Sequence, residues 1–73
     1  MSAPTAPQLV ELHEALTKEL LRLAQREEDL ANDEAEQVHY WEPMPATVGI
    51  HRQCAAALRA AADELARSRR SPA

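Results

Sequence analysis

The sequence predicts an all-α fold: an antiparallel two-helix hairpin with a long first helix and a shorter second one. Three observations carry this. Alanine, leucine, glutamate and arginine dominate the 73 residues, with one glycine and no phenylalanine, a composition of strong helix formers. Two long proline-free stretches flank a single segment holding Pro43 and Pro45. The two stretches carry opposite charge: residues 1–42 hold ten acids and three bases, residues 43–73 two acids and five bases.

Residues 1–5 read as a tail. Thr5-Ala6-Pro7-Gln8 fits a capping box, with the Thr5 hydroxyl facing an orphan amide and Gln8 reaching back. Proline in a helix's first turn gives up no intrahelical hydrogen bond. The first helix is expected over about 6–39, roughly 48 Å at helical rise. Asn32-Asp33 is its weakest point, because these side chains compete for local backbone groups.

Residues 40–47 form the turn. Pro43 holds Glu42 off the α conformation and Pro45 does the same to Met44. Thr47 is the expected N-cap of a second helix over about 48–69, with Pro45 as an alternative first-turn residue. Arg67, Arg69 and Arg70 close it, where cations complement the helix dipole. Residues 71–73 are tail. In the hairpin Arg52 is expected opposite the Glu36 region, Arg59 near Asp29 and Asp33, and Arg67 to Arg70 near Glu19.

A chain of this size builds a core that rarely supplies more than about 3–5 kcal/mol alone, so a staple or a partner is expected. Cys54 is the single cysteine, which excludes an internal disulfide and fits a reducing compartment. The first residues lack a signal-peptide pattern, and no run approaches the roughly 18 apolar residues of a membrane span. A cytoplasmic location and no membrane contact are expected. The net charge of −4 and the two aromatic residues disfavour nucleic acid.

Leu9, Leu16, Leu23 and Leu30 recur every seven residues, with Leu12 and Leu20 on the same side. This is the spacing of a coiled-coil seam. Four residues after each leucine come His13, Leu20, Glu27 and Glu34, too polar for a long parallel coil. Beyond Leu23 the face becomes Ala24, Ala31, Ala35 and Val38, small enough for close helix approach. The second helix offers Ile50, Cys54, Ala57, Leu58, Ala61 and Leu65. Folded back from Met44, it is expected to reach only to about Lys18. Leu9, Leu12 and Leu16 then stay uncovered, and with Leu20 and Leu23 they form the expected interface. The partner is a homo-oligomer, a dimer first, or another helical protein.

Candidate chemistry is sparse. Glu36-Gln37-Val38-His39 resembles a fragment of the ferritin-like di-iron motif, which also needs carboxylates from facing helices. The second helix offers only Asp63 and Glu64, about 20 Å or more from His39. Glu36, His39, His51 and Cys54 make an alternative zinc or iron set at one end of the hairpin. No resident cofactor and no catalytic residue are expected. Tyr40 and Trp41, with Met44, are the candidate partner-binding turn, since such rings dominate hot spots. The turn is similar in outline to small secreted hairpins with a Trp-x-Gly turn, but Trp41 is followed by Glu42-Pro43. The functional expectation is a small helical interaction module, an adaptor, assembly or regulatory factor, rather than an enzyme. The alternatives are a metal-binding helical oligomer and a nucleic-acid-associated regulator using the C-terminal arginines.

Overall fold

The computed structural model describes residues 3–70, and the side chains of residues 3–68. The 71–73 tail and the side chains of Arg69 and Arg70 lie outside the described residues. Two helices, α1 (Ala6–Glu36) and α2 (Ala46–Arg70), pack against each other as a hairpin 58 × 23 × 16 Å in extent. No helix among the described residues is long and apolar enough to cross a membrane.

The capping box opens α1 as its residues require. The Gln8 amide donates to the Thr5 hydroxyl at 3.3 Å, and the Thr5 amide donates to the Gln8 side-chain oxygen at 2.8 Å. The helix passes Asn32-Asp33 unbroken. It stops at Glu36, three residues before the expected end. The last bonds tighten: the amides of Gln37 and Val38 donate to the carbonyls three residues back, Glu34 and Ala35. Val38 thereby takes the carbonyl that a continuing helix would give to His39. The His39 amide donates instead to the Glu42 carboxylate at 3.1 Å, while the Glu42 amide donates to the His39 carbonyl at 2.9 Å. A closed turn replaces the last helical residues.

α2 begins two residues earlier than expected, and Thr47 is not its N-cap. The Pro45 carbonyl accepts the first bond, from the Val48 amide at 3.1 Å. Pro45 restricts Met44 but leaves the residues after it free to wind. Thr47 falls inside the first turn, where its hydroxyl donates across the hairpin to Glu34.

Small residues fill the seam. Ala24 and Ala31 of α1 and Val48, Ala55 and Ala62 of α2 are the buried apolar residues among those described. Each set repeats at seven residues. The Glu34–Thr47, Glu27–His51 and Glu28–Arg59 contacts set the register, and with equal rise along both helices Ala24 lies between the levels of Ala55 and Ala62, and Ala31 between those of Val48 and Ala55. Half-buried Thr17 has its hydroxyl satisfied by the His13 carbonyl at 2.8 Å. α2 continues to Arg70, so it runs beside α1 well beyond Lys18; both His13 and Ala66 are half-buried. The expected short reach is therefore corrected. The expected face of α2 is also corrected: Leu58 and Leu65 are half-buried, but Ile50, Cys54, Ala57 and Ala61 face outward. The true seam is displaced by one residue, from Cys54 and Ala61 to Ala55 and Ala62.

Candidate functional site

The two sides of the seam differ in chemistry. On one side Arg59 clamps Glu28 with two hydrogen bonds, of 2.5 and 2.8 Å. These bonds hold the Glu28 carboxyl below the usual carboxylate range; partial burial opposes this, and the charges of Arg59 and Arg52 add to it. Arg59 takes Glu28 rather than Asp29 or Asp33, and the Arg52 charge is felt at Glu28 as well. Asp29 accepts from the Gln25 side chain at 3.0 Å. Glu19 pairs along its own helix with Arg22, whose hydrogen bond lowers its carboxyl pKa. The Arg59 guanidinium is engaged by an acid of α1. Arg67 is exposed.

The other side is apolar. Glu28 and Arg59 each stand four residues after a seam alanine, Ala24 and Ala55. Leu16, Leu23 and Leu30 each stand one residue before a seam position of α1, and Cys54 and Ala61 one before a seam position of α2. In an antiparallel pair, positions with the same offset share a side. The leucines of α1 therefore look out with Ile50, Cys54 and Ala61 on the side away from the Glu28–Arg59 clamp, while Ala57, two residues after Ala55, faces away from the seam. Leu9, Leu12 and Leu16 are exposed, Leu12 by 52% and Leu16 by 45%, while Leu20 and Leu23 are half-buried. The exposure is lateral: Leu30, alongside the first turns of α2, is 41% exposed too. Leu21 projects on the clamp side and is also exposed.

Polar groups inside the apolar side are already partnered. His51 Nδ1 meets Glu27 Oε2 at 2.5 Å, and Thr47 holds Glu34. The candidate metal ligands are not gathered. His51 is engaged with Glu27, His39 Nδ1 with Glu42, Cys54 is exposed on α2, and Glu36 is exposed at the end of α1. The described residues contain no group of three His, Cys, Asp or Glu side chains placed to hold a metal ion.

At the tip, Trp41 stacks on His39 with ring centroids 4.5 Å apart and meets Tyr40 edge-on at 5.0 Å. The rings do not cover the end of the seam. Tyr40 is 95% and Trp41 67% exposed, and Met44 stands exposed beside them. Sequence reasoning missed Ala57 and Ala61 as outward residues and Glu28–Arg59 as the clamp; the shared offset of Glu28 and Arg59 from Ala24 and Ala55 is the signal that finds the latter. Compared with known proteins, the chain matches no family model, no curated protein and no solved structure.

Proposed function

We propose that this chain is a small helical interaction module that self-associates through its leucine-rich α1. One observation carries the reading. The buried apolar set among the described residues is four alanines and a valine, while Leu9, Leu12, Leu16 and Leu30 remain exposed. Burying a large aliphatic side chain contributes about 1.5–3 kcal/mol. The fully buried seam is made of small side chains while these larger ones stay partly in water, so association offers a further hydrophobic gain.

The Tyr40–Pro45 turn lies at the tip, away from the middle of the leucine stripe. Its stacked rings make a rigid, exposed anchor of the kind that binds a larger partner. The module is read as an adaptor, assembly or regulatory factor that pairs through the stripe and presents the turn.

Sedimentation equilibrium over a wide concentration range tests this. The expected result is a mass of two or more chains that falls in Leu12→Ser/Leu16→Ser while the far-ultraviolet helix signal is kept. A single-chain mass for the native sequence at every concentration would overturn it.

A further inference from the structure

The leucine stripe is half of a face to which α2 contributes the other half. Leu16, Leu23 and Leu30 form a ridge on α1. Beside it on the same side, Ile50, Cys54 and Ala61 of α2 form a lower outer strip, with half-buried Leu58 and Leu65 between strip and seam; Ile50 is 54% exposed. We infer that this composite face is closed by a second copy of the same chain, each copy's leucine ridge lying over the other's α2 strip in a four-helix bundle. The inference rests on the self-association reading and adds α2 to the interface.

Area allows a copy. The hairpin is an elongated body of 58 × 23 × 16 Å, long enough for a face of the about 800 Å² that each partner gives to a standard interface. Shape argues for it as well. A face with one high edge and one low edge is self-complementary under a two-fold rotation, the usual symmetry of homodimers. Part of the polarity of this face is met within the chain: Glu27 bonds to His51 and Glu34 to Thr47, so those bonds need no new partner on closure. Glu19 and Arg26 on α1 and Glu64 on α2 stand at the rim, where charge stays in water.

The experiment compares the full chain with Ala61→Glu and with Leu12→Ser/Leu16→Ser by sedimentation equilibrium and circular dichroism. Ala61 is exposed and outside the seam, so a glutamate there leaves the hairpin its contacts. Both variants are expected to fall from the mass of two chains to that of one with helicity kept. If the leucine variant dissociates but Ala61→Glu remains a dimer, α1 associates alone and this inference fails while the self-association reading stands. A native chain that is monomeric throughout removes both. Should Ala61→Glu unfold, native Cys54 decides. Its alkylation by N-ethylmaleimide is expected to slow with rising protein concentration, in proportion to the remaining free monomer; a rate independent of concentration in a chain that dimerises overturns the inference.

Discussion

At Gly49 an added methyl group meets no atom within 4 Å. The residue lies in the first turns of α2 with no positive φ, so nothing in the fold asks for a glycine. Gly49→Ala is expected to raise stability by about 0.4–1 kcal/mol, mainly by restricting the unfolded chain. Thermal melting of the two proteins checks it. Glu28 takes the two-bond ion pair across the hairpin. Its carboxyl is held below the ordinary range by the Arg59 hydrogen bonds, while in the unfolded chain it titrates normally. Its stabilisation is therefore complete above the unfolded value and is lost as pH falls through the lowered folded value. Melting curves of the native chain and Glu28→Gln should differ at neutral pH and converge in acid; a gap that persists at low pH would assign the difference to packing instead. At this scale the sequence was most readable where chemistry is local. Thr5 and Gln8 are three residues apart and cap as their spacing requires. Thr47 was misread because its hydroxyl had a choice between a neighbouring amide and Glu34, thirteen residues away and across a turn.

At the scale of the element, each helix carries two overlapping seven-residue repeats one position apart. On α1 these are Leu16-Leu23-Leu30 and Thr17-Ala24-Ala31; on α2 they are Cys54-Ala61 and Ala55-Ala62. Hydropathy favours the leucines. The fold chose the alanines, since a short turn draws the helices close and only small side chains let the backbones approach. The small stretch Ala24, Ala31 and Val38 was legible for that reason. On α2 both repeats are small, so size did not decide between them, and the reading slipped by one residue, about 100° around the helix. The seam has a direct test. Ala24 is fully buried, and Ala24→Leu is expected to destabilise the hairpin by about 1–3 kcal/mol through overpacking, even though it increases the hydrophobicity of α1. A denaturant midpoint that rises in this variant would show that the seam has room for larger side chains.

For the whole molecule, the hairpin class and the antiparallel order follow from one proline-rich break and opposite charge on its two sides. The composite face did not follow, because it exists only once the register sets Leu23 and Leu30 beside Ala61 and Cys54. The stripe of α1 was visible in the sequence; its completion by α2 depends on a rotation that composition does not encode. The candidate ligands Glu36, His39, His51 and Cys54 illustrate the same limit. Spacing along one helix said which residues share a face, but the register turned His51 toward Glu27 and left Cys54 on the outer side. The proposed dimer is a property of this scale alone, and its mass distribution reports on both helices at once.

The alanine seam also sets how the hairpin answers to force. Because the helices run antiparallel, the start of α1 and the end of α2 lie at one end and the turn at the other. A pull applied at that open end loads the contacts one helical turn after another, as in unzipping, instead of shearing them together. The steps release the alanines of the seam and the half-buried Leu65, Leu20 and Leu58 before the Glu28–Arg59 clamp is reached. The hairpin thus peels from its free end through apolar contacts and meets its two-bond ion pair at mid-length.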